Sequence, residues 1–442
     1  MNYADALQYL NRLGNEVLTM KFGLQTMRRL LEILGSPETA YPSVLVAGTN
    51  GKGSVSHFLS SVCTAAGIRT GLYTSPHLVE PRERVRVNGR PVTAEQFAQG
   101  LGETAEAIAR NRLEPHPTFF ETVTATALLL FARLGVRLAV LEVGMGGRLD
   151  STNAVEPILS LITPISYDHE KYLGNSLSAI AQEKAGILRA GKPAVSAPQV
   201  PEAEETLLRC AANLEAQLSF VTPPPTAGAT VDHRGRYALV HRGRSYQLGL
   251  CGEHQVTNAR LVAAAVERLH LLGWELREEH LEAGLRDTVV PGVVQWWSQH
   301  PPLILDGGHN PQAARALAGY VARHTGEPRT LVFGCMRDKN VPEVLRPLVP
   351  LFERVFLTTV ENRRAFQPEE LTAFCPGGRT FRDPAAALEE AIRYPGTTVV
   401  AGSFYLAGAV LAYLTGEASA TAGRSAEEPG RVVMPSRVAV DR

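Results

Sequence analysis

The sequence predicts an α/β protein in two parts: a larger domain built on a mostly parallel sheet, then a smaller α/β domain. Three observations carry this. Apolar runs of strand length, such as Ser43-Val44-Leu45-Val46-Ala47 and Leu138-Ala139-Val140-Leu141, alternate with segments of helical periodicity. Strands covered on both faces read as unbroken apolar runs of this kind. A glycine-rich turn joins the first run to a helix, which is how a βαβ unit opens. The pattern then breaks at Pro291-Gly292 and restarts.

Leu24, Met27, Leu30, Leu31 and Leu34 recur at helical spacing, and Gly35 with Pro37 supplies a stop. The strand 43–47 follows, then a helix from Ser54 to Ala66 closed by Gly67. Thr118-Phe119-Phe120-Glu121 reads as a capping box, opening a helix that runs to Leu134 and ends at Gly135. The strand 138–141 leads into a loop from Glu142 to Asn153, and the run Ile158–Ile162 into the loop Tyr167-Asp168-His169-Glu170. A helix from Leu177 to Leu188 carries Glu183 and Lys184. Residues 198–250, with Pro223-Pro224-Pro225 and two Arg-Gly pairs, read as hairpins or an excursion from the sheet. Beyond Pro291, strands are expected at 303–305, 330–333, 355–357 and 397–400, and Asn310-Pro311 has the form of an N-cap followed by proline. The expected domains are 1–293 and 294–416, with a disordered tail over 417–442 that is rich in Gly, Ala, Ser and Glu.

The 442 residues are 45% hydrophobic, and 44 Lys+Arg balance 44 Asp+Glu. That hydrophobicity excludes disorder for most of the chain. Zero net charge argues against a nucleic acid or anionic membrane as partner. The five cysteines are scattered, with no Cys-x-x-Cys pair, so free thiols in a reducing compartment are expected. No signal peptide is visible at the N-terminus, and the run Val399–Leu414 is broken by Gly402, Ser403 and Gly408. It falls short of the roughly 18–20 residues a bilayer span requires. A cytoplasmic protein is expected.

The strongest chemical signal is Ala47-Gly48-Thr49-Asn50-Gly51-Lys52-Gly53-Ser54, between a strand and a helix. Glycines let backbone amides turn toward a phosphate, and the helix start adds partial positive charge. Lys52 then supplies a point charge. The P-loop pattern is imperfect, because Gly53 separates Lys52 from Ser54. The competing reading is a glycine turn with a solvated lysine. Glu142 at a strand end suits a nucleotide-bound metal, although a lone strand-end glutamate is more often solvated. His169 reads equally as a surface histidine, and Lys184 beside Glu183 as half of a solvated pair.

Taken together, these residues resemble the folylpolyglutamate synthase/dihydrofolate synthase family of the Mur ligase superfamily. The resemblance runs through VAGTNGKGSV and Thr74-Ser75-Pro76-His77-Leu78 with Glu83-Arg84-Val85 and Asn88-Gly89. It continues through Phe120-Glu121, Glu142-Val143-Gly144-Met145-Gly146-Gly147-Arg148-Leu149-Asp150-Ser151-Thr152-Asn153, Asp168-His169 and Glu183-Lys184-Ala185-Gly186-Ile187. Gly252-Glu253-His254-Gln255 with Asn258-Ala259, Asp306-Gly307-Gly308-His309-Asn310-Pro311 and Gly402-Ser403-Phe404-Tyr405 complete it, so that about residues 20 to 415 are covered in order.

The resemblance implies a P-loop-type, mostly parallel central domain and a smaller Rossmann-like α/β C-terminal domain. It also implies an ATP-dependent ligase that adds L-glutamate to folates, to dihydropteroate or to both, through an acyl phosphate. Asn50, Gly51, Lys52, Gly53 and Ser54 would hold ATP phosphates, with Asn258 and Asp306 on the nucleotide. Ser75, Glu142 and His169 match the magnesium ligands, and Mn²⁺ would substitute there. Lys184 matches a lysine that is typically carbamylated and then holds a second metal. Thr118, Leu149, Asp150 and Ser151 match positions near the pterin-bearing substrate; His309 and Ser403 match the glutamate side. Lys52, Lys184 and His169 are the implied catalytic residues, the active site is expected between the domains, and a monomer is expected.

Two strings depart from the family pattern. Pro291-Gly292-Val293 stands where the family commonly has Pro-Gly-Arg, and Asp338-Lys339-Asn340 where it has Asp-Lys-Asp. Arg286 is the candidate replacement for the lost guanidinium. Two other readings therefore stay open: a ligase of this type with another carboxylate acceptor, and a nucleotide-binding homologue with impaired turnover. A peptidoglycan-type Mur ligase is disfavoured, because no UDP-sugar domain precedes the glycine loop.

Overall fold

The structure is a computed structural model and describes residues 1–14, 23–223 and 232–416. It divides into two compact units, one spanning Met1–Pro291 and the other beginning at Gly292. The expected tail, 417–442, lies outside the described residues.

The first unit is organised around an eight-stranded sheet: β1 (Ser43–Ala47), β2 (Thr70–Tyr73), β3 (Val85–Val87), β4 (Arg90–Pro91), β5 (Leu138–Glu142), β6 (Leu159–Ile162), β7 (Pro193–Ser196) and β8 (Gln217–Phe220). Their order is β4-β3-β2-β5-β1-β6-β7-β8. All neighbours run parallel except β2–β3 and β3–β4. The centre of the sheet, β1 and β5, is buried throughout, as unbroken Val/Leu runs require. Because β1 lies between β5 and β6, the loops after all three emerge side by side at the carboxyl ends. In open α/β sheets that is where ligands bind.

The helix Phe119–Arg133 is buried along most of its length, and its Thr118–Glu121 capping box forms in full. The helix expected over 177–188 stops at Ala185, with Gly186 as its C-cap so close to Arg148 that a Cβ there would lie 2.4 Å from the Arg148 Cα. A larger correction concerns 198–250. Residues Pro201–Leu214 form a helix, and β8 joins the main sheet parallel to β7. Among the described residues of this stretch, only β9 (Arg236–His241) and β10 (Arg244–Cys251) make a hairpin. The helix buries Ala203, Thr206, Leu207 and Ala211 at helical spacing, with Pro201 at its first turn, where no amide partner is lost. β8 is a half-covered edge strand, so it lacks the apolar run that marks an interior strand.

The second unit holds β11 (Gln295–Gln299), β12 (Pro302–Leu305), β13 (Arg329–Phe333), β14 (Arg354–Leu357), β15 (Arg379–Thr380) and β16 (Thr397–Ala401), ordered β11-β12-β16-β13-β14-β15. Only β11–β12 is antiparallel. Asn310 caps the helix Pro311–His324 by accepting from Ala313 N–H. Among the described residues, no helix is long and apolar enough to cross a membrane. All five cysteines are free thiols.

Candidate active site

The glycine loop leaves β1 and enters the helix Lys52–Ala65, so the helix starts two residues earlier than expected. Lys52 and Gly53 therefore belong to the first turn, where N–H groups have no intrahelical partner and face a ligand. Gly51 has φ +88°, and a Cβ there would lie 2.5 Å from Asn258 Oδ1. A Cβ on Gly53, the residue that spoils the P-loop pattern, would stand 3.5 Å from Glu142 Oε1. That is ordinary van der Waals contact, and it places the start of the helix directly beside the buried carboxylate.

Glu142 closes β5 and is 5% exposed. It accepts a hydrogen bond from Ser75 N–H at 3.1 Å. Burial pushes its carboxyl up to about 7, against the opposing pull of Lys52, the Ser75 amide and Arg84. Lys52 Nζ donates to the carbonyls of Gly48 (3.2 Å) and Thr49 (3.1 Å). Lys184, 3% exposed, donates to the same Gly48 carbonyl at 2.7 Å. Burial, followed by the charge of Lys52, lowers its amine to about 7, with Asp168 and Asp150 pulling the other way. A solvated surface pair is therefore the wrong description of Lys184; its neighbour Glu183 instead meets Arg148 at 2.8 Å.

Ser54 and Asn258 meet through Gln255. Gln255 Nε2 donates to Ser54 Oγ at 3.3 Å, and its Oε1 accepts from Asn258 Nδ2 at 2.9 Å. Gln255 Nε2 also lies 3.1 Å from His254 Nε2. Burial holds His254 down to about 4, so its ring is the neutral acceptor in that contact.

In the loop after β5, Asp150 accepts from Met145 N–H (2.9 Å), Thr152 N–H (3.0 Å) and the Thr152 hydroxyl (2.6 Å). It ties the turn together while burial raises its carboxyl. Ser151 begins the short helix Ser151–Ala154, and Leu149 beside it is half-buried. Thr118 is buried as the N-cap of its helix. His169, with φ +53°, precedes the helix Glu170–Leu173, its Nε2 3.9 Å from Asp168 Oδ1.

Asp306, His309 and Ser403 sit in the second unit. Asp306 accepts from Val294 N–H (2.9 Å) and Gly308 N–H (2.8 Å), and burial raises it to about 6. His309 Nδ1 lies 3.0 Å from the Gly307 carbonyl, and its ring stands edge-on to Phe404 at 6.0 Å. Ser403 caps the helix beginning at Phe404, its Oγ accepting from Leu406 N–H at 3.0 Å. The His309 ring and the Gly307 backbone pack on Phe404, whose ring would meet a Cβ on Gly307 at 2.4 Å. Arg286 forms a two-pronged ion pair with Asp287 at 2.8 and 3.0 Å, so its guanidinium is already engaged.

Comparison with known proteins agrees with this architecture. Residues 46–266 match the Mur ligase middle domain, and 294–404 match the Mur ligase, glutamate ligase domain. The dihydrofolate synthase/folylpolyglutamate synthase of Mycobacterium tuberculosis is 36% identical over 79% of this chain and 76% of its own length. The chain belongs to the folylpolyglutamate synthase/dihydrofolate synthase family. It is thus a Mur-type ligase. The solved E. coli FolC in complex with DHPP and ADP superposes with a TM-score of 0.82 at 30% identity, covering 94% of this chain and 98% of that one. A solved bifunctional folylpolyglutamate synthase/dihydrofolate synthase with Mn, AMPPNP and L-glutamate bound gives a TM-score of 0.80 at 31% identity, covering 94% of this chain and 98% of that one. A probable bifunctional folylpolyglutamate synthase/dihydropteroate synthase of Haloferax volcanii is 33% identical over 88% of this chain; the chain spans 48% of that relative's length.

Within this folate-ligase fold, the first unit gathers Lys52, Gly53, Ser54, Ser75, Glu142, Lys184 and Asn258 around the glycine loop. Among the described residues, no group of three or more His, Cys, Asp or Glu could by itself hold a metal ion. Glu142 still suits a hard divalent cation: it is an anion-capable oxygen donor made unstable by burial, and magnesium usually completes its shell with phosphates and water. Two side chains escaped the sequence reading as individual site residues. Gln255 bridges Ser54 and Asn258. Arg84, 1% exposed, donates to His77 Nδ1 at 2.8 Å, lies 5.1 Å over the Phe119 ring and bears on Glu142. Both lie in strings that carry the family resemblance, and that was the available signal; only folding shows what they touch.

Proposed function

We propose that this chain joins the amine of L-glutamate to the carboxylate of a folate-type acceptor, dihydropteroate or a reduced folate or both, at the expense of ATP. The observation that carries this reading is the meeting of Lys52, Glu142 and Lys184 around one glycine loop. Phosphoryl transfer needs such a cluster of cation, metal-seeking carboxylate and oriented amides.

Asn50, Gly51, Gly53 and Ser54 cradle the phosphates with Lys52, while Asn258 and Asp306 hold the nucleotide. Thr118, Leu149, Asp150 and Ser151 place the acceptor; His309 and Ser403 receive glutamate. The acceptor carboxylate attacks the γ-phosphorus, forming a new P–O bond as the β–γ bridge breaks and ADP leaves. The neutral amine of glutamate then adds to the acyl carbon, expels inorganic phosphate and loses a proton. Lys52 compensates charge on the transferred group, and the surroundings must exclude water that would hydrolyse the acyl phosphate. A divalent cation, magnesium or manganese, held by Ser75, Glu142 and His169, would supply further positive charge there. Lys184, with its amine lowered to about 7, is suited to add carbon dioxide at Nζ with loss of a proton. The resulting carbamate would give the site a second anionic ligand. A monomer in a reducing cytoplasm fits five free thiols and small-molecule substrates.

The test is phosphate release by the purified chain with ATP, Mg²⁺ and L-glutamate, supplying dihydropteroate and tetrahydrofolate separately. Release that requires both glutamate and a pteroyl acceptor supports the proposal. Release only with another acid assigns a different acceptor, and ATP binding without release refutes turnover.

A further inference from the structure

A groove of about 450 Å³ lies away from the residues assigned above, lined by Arg69, Val87, Asn88, Arg90, Pro91, Val92, Gln96 and Leu134. Its place in the sheet separates it from the glycine loop. Arg69 directly precedes β2, and Leu134 lies shortly before β5. Ser75 and Glu142 stand at the carboxyl ends of those same strands. The groove therefore belongs to the opposite edge of the sheet.

Its chemistry is one-sided, because the lining contains no acidic residue. The acceptor oxygens of its two amide side chains are engaged: Asn88 Oδ1 accepts from Thr70 N–H at 3.0 Å, and Gln96 Oε1 from Thr93 N–H at 2.9 Å. What each amide has left is its NH₂ group, a donor. Arg69 is steadied by Nε donating to the Leu134 carbonyl, which leaves its terminal nitrogens for a ligand. Arg90 is exposed at the start of β4. The adjacent acid, Glu95, is engaged by Thr93. Val87, Pro91, Val92 and Leu134 supply an apolar wall. Donors converging on an apolar trough suit an anion that carries several carboxylates on a hydrocarbon chain, with arginine forks as the preferred partners.

We propose that this groove binds a short oligocarboxylate of the kind a growing glutamate chain presents. The choice of oligocarboxylate rests on the proposed glutamate-adding activity; the preference for an anion does not. Titration calorimetry of the full chain with free tri-γ-glutamate tests it. Binding should weaken at least tenfold in Arg69→Gln/Arg90→Gln, weaken with rising salt, and persist in Lys52→Ala. If the double variant melts early, Arg90→Gln alone, on an exposed side chain, should still weaken binding severalfold. No binding, binding lost in Lys52→Ala but kept in the arginine variants, or equally tight binding of inorganic phosphate would overturn the proposal. A chain that binds the peptide at the arginines but shows no ligase turnover refutes the ligase reading alone. Turnover without such binding refutes the groove alone.

Discussion

Lys184 Nζ donates to the carbonyl of Gly48 at 2.7 Å across 136 positions of sequence, and Lys52 Nζ reaches the same oxygen at 3.2 Å. Two lysines converging on one carbonyl cannot both stay charged cheaply in a buried place. The result is a division of labour. Lys184 is held down to about 7 by burial and by Lys52, leaving Lys52 as the cation of the pair.

Replacing Lys52 with alanine should lower turnover by about 10²–10³-fold, the range seen when one stabilising group for transition-state charge is removed. Thermal unfolding should remain cooperative. The same change removes a positive neighbour, so the pH midpoint for chemical labelling of the Lys184 amine should rise. An unchanged midpoint would contradict the coupling of the two lysines.

Glu142 makes stability depend on pH in a definite direction. Its folded carboxyl lies at about 7 against an ordinary 4.5, so the folded protein holds the proton more tightly. Its stabilising contribution is complete below pH 4.5 and is lost as pH rises through 7. A shift of that size is worth about 3 kcal/mol. Glu142→Gln should flatten this part of the stability profile in denaturant titrations without metal, and at pH 8 Mg²⁺ should stabilise the parent but not the variant.

Lys184 should carry a carbamate in protein prepared with bicarbonate, seen as the added mass of one carbon dioxide after chemical trapping. Its uptake should fall as pH drops below about 7, where the amine becomes protonated. A bare amine in metal-loaded protein would remove this role.

Gly147→Ala should destabilise the chain by about 1–3 kcal/mol, the usual cost of overpacking. The added methyl would sit 2.7 Å from the Glu183 carbonyl and 3.0 Å from that of Lys184, both backbone atoms. Because those atoms carry Lys184, activity should fall by more than the fraction unfolded.

Val293→Arg should tighten ATP binding. Arg286 is engaged by Asp287, and charge-assisted hydrogen bonds to phosphate contribute about 1.5–3 kcal/mol. Unchanged affinity by calorimetry would show that position 293 does not face the nucleotide.

Much of the molecule was legible beforehand. The Val/Leu runs of β1 and β5 announce interior strands, and the Thr118–Glu121 box announces a helix start, because each signal is local. The helix Pro201–Leu214 was missed: proline and Arg-Gly density nearby pointed to turns, and its apolar stripe is narrow. β8 was missed because an edge strand need not be apolar.

The sequence by itself determined the alternation of strands and helices, the glycine turn and the family, since these reside in spacing and in strings of neighbouring residues. Only the tertiary structure decided that Lys184 is a buried, nearly neutral amine, that Gln255 joins Ser54 to Asn258, and that Arg84 rests on His77 and Phe119. Burial and partners tens of residues away set those properties, because desolvation and Coulomb energy depend on distance in space rather than along the chain.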